Sequence, residues 1–503
     1  MPSFRRTFEQ LHIGGEWVPP DSRRTINVIS PTDEDVIGSV PSANAVDVDR
    51  AVAAARRALE RGEWADSTPE DRLRLLRRVR ELMAECSDEL AVLVTEEMGC
   101  PIAQSRALQV GSVLTLVDDL LDVGEAFAYS DLRQSRGGQA LVVREAVGVV
   151  AAIVPWNVPL SPALIKLTPA LLAGCTVVLK PAPQTPLTAF ALAQIFEDAG
   201  LPGGVLSVIP AELEASEYLV SHPDVDKVAF TGSSAAGRRI AAVCGELLRP
   251  VTLELGGKSA GIILDDADLD RTMELLRMGT LRNNGQVCTL KTRVLVSRRR
   301  AAEVTEALAA MVSSLSVGDP RLDATDIGPL VSAQQRQRVQ SYIDRGRGEG
   351  ATVVAGGRAP AQDRGWFVTP TVFADVDPSM VIAREEIFGP VACVIAYDDE
   401  DDAIRIANDS AYGLSGAVYT ADPERGLAVA RRIRSGVVEV DGAPIGFRAP
   451  FGGVKASGLG REAGREGFEA YTRVASYGLP PSLFASLRGA GESHERAAAG
   501  PVR

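Results

Sequence analysis

Two periodicities divide the chain. Between residues 45 and 97 apolar positions recur at intervals of three and four, Val46, Val48 and Val52 first, then Leu73, Leu76, Val79 and Leu82, with Arg and Glu between them. That spacing predicts amphipathic packing helices. From about residue 146 the pattern changes to short Val-rich runs, AVGVVAAIVP, CTVVLK, GVLSVIP, DKVAFTG and PVTLELGG. Such runs predict strands buried on both faces of a parallel sheet. Amphipathic stretches such as Thr188 to Glu197 and Ala235 to Val243 separate them. Repeated strand–helix units build a doubly wound α/β sheet, and a dinucleotide-binding domain is the leading expectation. Beyond about residue 258 come TRVLVS, ATVVAGG, VACVIAY and GAVYT as strands, with Arg/Ala-rich helices between them, which predicts a second α/β domain. The end, from about Ser482, is rich in Ala, Gly, Ser and charge and reads as a flexible tail.

Length agrees with more than one core: 503 residues predict two or three domains. Hydrophobic residues at 46% and charged residues at 24% are ordinary globular values, which argues against a disordered chain or a membrane protein. The net charge of −13 argues against nucleic acid or an anionic membrane as partner. The six cysteines, at positions 86, 100, 175, 244, 288 and 393, form no CxxC pair and have no His nearby in sequence. Neither a disulfide framework nor a metal site is expected. The first residues carry two arginines but no apolar h-region, so a reducing, cytoplasmic compartment fits best. Only His12, His222 and His494 are present, leaving few ways to build a Ser/His or Cys/His pair.

Three residues suggest chemistry, each with a plainer alternative. Cys288, in NNGQVCTLKTR, lies in a Gly-containing turn ahead of an apolar strand; it is either a reactive thiol or an inert buried small residue. Glu254, in VTLELGGKS, ends an apolar strand beside Gly-Gly, where burial would raise its pKa toward that of a general base; otherwise it is a solvated strand-end carboxylate. Asn157, in IVPWNVPL, follows a buried strand and is either a donor to a developing oxyanion or a turn residue.

The combination narrows these alternatives. AIVPWNVPL, VVLKPAPQTPLTA, KVAFTGSSAAG, TLELGGKSAGIIL, NNGQVCTLKTR, REEIFGPV and PFGGVKASGLGRE occur in the order and approximate spacing of the aldehyde dehydrogenase superfamily, which the chain resembles as far as about Leu479. The resemblance implies an NAD(P)-dependent enzyme in which Cys288 attacks the aldehyde, Asn157 and the Cys288 backbone N–H stabilise the oxyanion, and Glu254 activates water to release a thioester. It places the cofactor against Val154, Pro155 and Trp156, with Lys180 at the adenosine ribose, flanked by Ala182 and Pro183. It sets Ser233 by the pyrophosphate, with Gly232 and Gly237 allowing close approach and helix packing, counts Phe230, Leu255 and Gly256 among the cofactor-binding residues, and has Glu386 and Phe388 hold and abut the nicotinamide half. No GxGxxG is present, so this is a variant dinucleotide fold.

Two departures bear on the cofactor. Pro183 stands where many NAD-using members carry a ribose-binding Glu, and Ala211 follows Pro210 where many have Gly. NAD is expected, with NADP the alternative. The substrate pocket is implied to comprise Val158, Pro162, Ile165, Val287, Thr289, Pro444, Ile445 and Phe447, mostly apolar; Arg448 nearby leaves a carboxylate-bearing semialdehyde as the alternative substrate. A CoA-acylating enzyme and a non-catalytic family member are further alternatives, and the presence of Glu254 argues against the first. The implied architecture is a Rossmann-like cofactor domain over 1–124 and 147–257, an α/β catalytic domain over 258–460, a small β oligomerisation arm over 125–146 and 461–481, and the tail over 482–503. The alternating Leu141 and Val143 suit a strand added to a partner's sheet, so a homodimer or homotetramer is expected.

Overall fold

The computed structural model describes residues 4–491. The region of three-and-four spacing forms the helices Ala45–Glu60, Pro69–Glu85 and Ser87–Met98. The first two start at capping boxes, in which Asn44 and Thr68 accept from the backbone of Asp47 and Asp71 while those carboxylates reach back.

The Val-rich runs form the centre of an eight-stranded sheet. Its order is Gly458–Leu459, Val251–Glu254, Lys227–Thr231, Val149–Ile153, Thr176–Lys180, Leu206–Val208, Leu11–Ile13, Glu16–Val18. The five strands between 149 and 254 are mutually parallel, and the outer ones run antiparallel. From Val149–Ile153 the chain first builds outward through 176–180 and 206–208. It then crosses back to lay 227–231 and 251–254 on the other side. The doubly wound expectation holds, and the order reverses between Val149–Ile153 and Lys227–Thr231. At such a reversal the connecting helices diverge and leave a crevice beyond the carboxyl ends of the strands.

A seven-stranded sheet follows, ordered Thr352–Ala355, Thr371–Ala374, Val391–Tyr397, Arg293–Ser297, Ala260–Ile263, Ser415–Tyr419, Val437–Val440, with only the first strand antiparallel. Its strands are covered on both faces. Leu295 and Ile395 pack into one apolar cluster, whereas Val294, Val296 and Val394 pack into another, as the two-residue period of a strand requires. A third, antiparallel sheet joins Thr472–Gly478, Gly138–Ala146 and Ser130–Ser135.

The structure departs from the implied partition at three places. Gly458–Leu459, expected in the second domain, pairs with Val251–Glu254 of the first sheet. Within 461–481, expected as arm, Phe468 and Tyr471 are buried in the first core, because their large apolar rings find cover there; only Thr472–Gly478 lies in the small sheet. The segment from 482, expected to be flexible, begins as the helix Pro481–Gly491, whose Phe484 is buried. The remainder of that expected tail lies outside the described residues. Among the described residues no helix is long and apolar enough to cross a membrane.

Candidate active site

The crevice at the strand reversal collects the candidate residues. Val149–Ile153 runs directly into Val154, Pro155, Trp156 and Asn157, and its neighbour Lys227–Thr231 runs into Gly232 and Ser233. One strand further out, Glu254 lies opposite Thr231 in register, and its carbonyl accepts from the Gly232 N–H at 3.0 Å.

Cys288 enters from the second sheet on a strained turn. After the helix Leu269–Leu281, residues Asn283, Asn284 and Gly285 all have positive φ, at 54°, 60° and 76°. Asn and Gly are the residue types that tolerate this region most easily. Asn284 Nδ2 donates to the carbonyls of Gly99 and Pro329, each at 2.8 Å, and Asn284 Oδ1 accepts from the Gly328 N–H at 2.7 Å. A Cβ on Gly285 would lie 2.1 Å from the Gly389 carbonyl carbon, so only glycine fits there. The turn is thereby fixed, and Cys288 is held half-buried behind it.

Asn157 is tied to the same turn. Its Nδ2 donates to the Gln286 carbonyl at 2.8 Å, and its own carbonyl accepts from Asn283 Nδ2 at 2.8 Å and Gln109 Nε2 at 3.2 Å. Gln104 Oε1 accepts from the Asn283 N–H at 2.8 Å. Sequence reasoning missed both glutamines. They lie in and beside Ser105–Gly111, a π-helical widening of the kind found at functional sites.

The electrostatics are those of a buried, acid-rich cleft. The Cys288 thiol is pushed up to about 12 by burial and by the facing carboxylates of Glu386 and Glu254, against which Arg282 acts. Glu254 is buried, and neither carboxylate oxygen has a hydrogen-bond partner. Burial, then the neighbouring Glu462, raises it well above the usual carboxylate range, and Lys166 opposes the rise. Lys166 is fully buried and donates to Glu462 Oε1 and Thr231 Oγ1, both at 2.6 Å. Lys166 and Glu462 were not foreseen from sequence. The only available signal was charge on the otherwise apolar helix Leu160–Leu172.

The residues implied for a cofactor line the same crevice. Lys180 ends its strand 9% exposed, with its carbonyl accepting from the Val154 N–H at 3.1 Å; burial alone lowers its amine to about 8. Ala182 is buried and Pro183 half-buried beyond it. Ser233 caps the helix Ser234–Glu246, accepting from the Ala236 N–H, and leaves other first-turn N–H groups free for an anion. A Cβ on Gly232 would meet the Phe230 ring at 2.5 Å, and one on Gly237 would meet Leu255 at 2.5 Å; both glycines therefore serve close packing. Glu386 Oε1 accepts from the Gly257 N–H at 2.9 Å, and a Cβ on Gly256 would strike its carboxylate. Burial pushes Glu386 up to about 7. Phe388 has a φ of 62°, a costly conformation for a bulky residue, and its ring meets Trp156 edge-on with centroids 5.3 Å apart. A buried amine with no carboxylate beside it, free helix-start N–H groups, a carboxylate and two rings fit a dinucleotide.

On the opposite side Ile165 joins Leu116, Leu120, Ala463, Phe447 and Phe451 in one apolar cluster. Leu116, Leu120 and Phe451 were missed in the sequence reading. Val158, Pro162, Val287 and Thr289 are partly exposed near the turn, and Pro444 and Ile445 form an exposed lip. Arg448, the candidate carboxylate binder, is instead engaged with Asp119 and Asp122 of the helix Ser112–Glu125.

Comparison with known proteins agrees with this geometry. Residues 17–477 match the model of the aldehyde dehydrogenase family. A geranial dehydrogenase from Castellaniella defragrans is 47% identical, over 93% of this chain and 98% of that protein. A 3-succinoylsemialdehyde-pyridine dehydrogenase from a Pseudomonas species is 42% identical over 93% and 98%. The crystal structure of a Mycobacterium tuberculosis aldehyde dehydrogenase complexed with NAD+ superposes with a TM-score of 0.93 at 45% identity, covering 94% of this chain and 99% of that one. A Pseudomonas syringae aldehyde dehydrogenase C mutant, complexed with NAD+ and octanal, gives 0.91 at 42% identity, covering 94% and 98%.

Proposed function

The chain belongs to the aldehyde dehydrogenase family, and on that premise we propose that it oxidises an apolar aldehyde to the carboxylic acid with NAD, through a thioester on Cys288. The observation that carries this reading is the tether from Asn157 to Gln286, which fixes an amide donor beside the thiol, with Glu254 buried and unpartnered nearby.

Cys288 attacks the carbonyl carbon as thiolate, and the Asn157 amide and the Cys288 backbone N–H donate to the oxygen as it gains charge. NAD, when bound, supplies the hydride acceptor that lets this adduct become a thioester. Glu254 then takes a proton from the water that attacks the thioester carbonyl, and the thiolate leaves as the acid is released. Burial and the neighbouring carboxylate of Glu462, itself paired with Lys166, both disfavour the ionised form of Glu254, and the raised proton affinity suits it to act as a base. The presence of this base favours release to water over release to CoA.

Lys180 would hold the adenosine ribose, with Ala182 and Pro183 beside it and Val154, Pro155 and Trp156 as the wall. Ser233, at the start of its helix, would hold the pyrophosphate, with Gly232 and Gly237 allowing its close approach and Phe230, Leu255 and Gly256 as further cofactor-binding residues. Glu386 and Phe388 would hold the nicotinamide ribose and ring.

The apolar preference rests on the Ile165–Phe447 cluster and on Arg448 being engaged by Asp119 and Asp122. The names of the geranial and octanal relatives point the same way. We assign the first sheet to cofactor binding, the second to catalysis, and the exposed Val474 and Tyr477 of the small sheet to a homo-oligomer contact. The six free cysteines suit a reducing cytoplasmic compartment.

The test is kcat/KM with NAD over short aliphatic, long aliphatic, aromatic and carboxylated aldehydes, without CoA. NADH formation favouring the apolar members is expected. No NADH across the panel overturns the activity, and preference for carboxylated members overturns the substrate class.

A further inference from the structure

Burial and the facing carboxylates of Glu386 and Glu254 all disfavour ionisation of Cys288, yet the thiolate is the attacking form. A single cation opposes them, Arg282. This residue ends the helix Leu269–Leu281, immediately before the left-handed turn, and its Nη2 donates to Thr289 Oγ1 at 3.0 Å. Thr289 is the residue after Cys288, so the hydrogen bond closes a loop around the nucleophile and fixes the guanidinium beside it.

The charge of Arg282 is not consumed elsewhere. Among the described residues no carboxylate lies within 4.0 Å of its nitrogens. Glu439, the acid facing it, is taken by Lys291 at 2.8 Å, and Tyr419 is the remaining titratable neighbour. A guanidinium stays protonated even when half-buried, so the charge beside Cys288 persists across the working pH range.

We propose that Arg282 is a positioning residue for catalysis: held by Thr289, it keeps a permanent positive charge beside Cys288 and so favours the thiolate. This rests on Cys288 being the nucleophile. It adds a cation that the motif residues do not include, since Arg282 precedes the NNG turn and carries no signal of its own.

The test is the rate of alkylation of the full-length, cofactor-free enzyme by neutral iodoacetamide and by anionic iodoacetate across pH, with the modified peptide identified by mass. In Arg282→Gln, which keeps a hydrogen bond to Thr289 but loses the charge, the profile is expected to move up by about one pH unit, read as about tenfold slower alkylation at pH 8. Iodoacetate should lose more than iodoacetamide. Arg282→Lys should restore most of the rate, and Thr289→Val should shift the profile the same way by less. Equal slowing in Gln and Lys variants overturns the proposal in favour of a packing role, as does a Gln profile that superimposes on wild type. Should the Gln variant fail to fold, an unmoved profile in Thr289→Val overturns it. Alkylation that abolishes turnover at a cysteine other than Cys288 overturns the nucleophile assignment itself, a distinct result.

Discussion

The side-chain amide of Asn157 donates to the backbone carbonyl of Gln286 at 2.8 Å, two residues ahead of Cys288. Asn157 follows the strand Val149–Ile153 of the first sheet and Cys288 precedes the strand Arg293–Ser297 of the second, so this one bond joins the two sheets at the point of reaction. It uses one N–H of the amide and leaves the other for an oxyanion. The turn that presents the nucleophile therefore also sets the position of the donor.

Removing the thiol or the amide separates chemistry from binding. Cys288→Ala should abolish NADH production while leaving thermal stabilisation by NAD intact, because the half-buried thiol belongs to none of the apolar core clusters. Asn157→Ala should lower kcat by about 10²–10³, the usual cost of one oxyanion donor. Substantial residual turnover in Cys288→Ala would remove the covalent mechanism.

Glu254 is assigned to the second half-reaction. Glu254→Gln should give a burst of about one NADH per active site followed by a slow steady state, with the thioester visible by intact mass. The sign of the pH dependence follows from the raised pKa. Glu254 accepts a proton only when ionised, so wild-type deacylation should accelerate as pH rises through its elevated value. That limb should vanish in the Gln variant, and its persistence would assign the base elsewhere.

Lys166 and Glu462 are both buried and paired at 2.6 Å, and Lys166 also opposes the rise at Glu254. Lys166→Met leaves an uncompensated buried carboxylate, and a loss of about 3–5 kcal/mol is expected, read as a lowered denaturant midpoint. Adding Glu462→Gln to that variant should recover much of the loss. A double variant no more stable than Lys166→Met would show that the pair acts independently.

Legibility in the sequence followed the physics of each element. Strands buried on both faces appear as apolar runs, and the turn chemistry of NNG announces itself by residue type. Ala260–Ile263, the strand between Arg293–Ser297 and Ser415–Tyr419, was overlooked because its four residues follow Gly-Gly without a break in pattern. Gly458–Leu459 is too short for any periodicity, and its place depends on Gly458, whose Cβ would strike the Leu253 carbonyl at 2.1 Å. Lys166 and Glu462 meet across 296 residues, and neither looks unlike a surface charge until the helix and loop that carry them are packed. The motif residues were found by resemblance; the residues that support them, Gln104, Gln109, Lys166 and Glu462, required the fold.

His12 is buried with both ring nitrogens unpartnered, edge-on to Trp17, and burial lowers it from 6.5 to about 4. Between those values the unfolded chain binds a proton that the folded chain refuses. Stability contributed by neutral His12 is therefore present above about pH 6.5 and lost as pH falls toward about 4, to the extent of about 3 kcal/mol. His12→Phe should flatten the fall of Tm between pH 6.5 and 4. An unchanged slope would place the acid sensitivity in other groups.

Pro183 lies half-buried three residues beyond Lys180, where many NAD-using relatives carry a glutamate that binds the ribose hydroxyls. Lys180 is lowered by burial alone, so among the described residues no carboxylate acts on its amine, and Pro183 brings none to repel a 2′-phosphate. Discrimination between NAD and NADP should accordingly be under about a hundredfold, since one missing charge clash is worth a few kcal/mol at most. Pro183→Glu should shift preference toward NAD, chiefly by weakening NADP through repulsion rather than by tightening NAD. The measurement is the ratio of kcat/KM for the two cofactors at saturating aldehyde, in wild type and variant. A wild type that already rejects NADP by several thousandfold, or a ratio that the substitution leaves unchanged, would mean that a residue other than Pro183 reads the ribose.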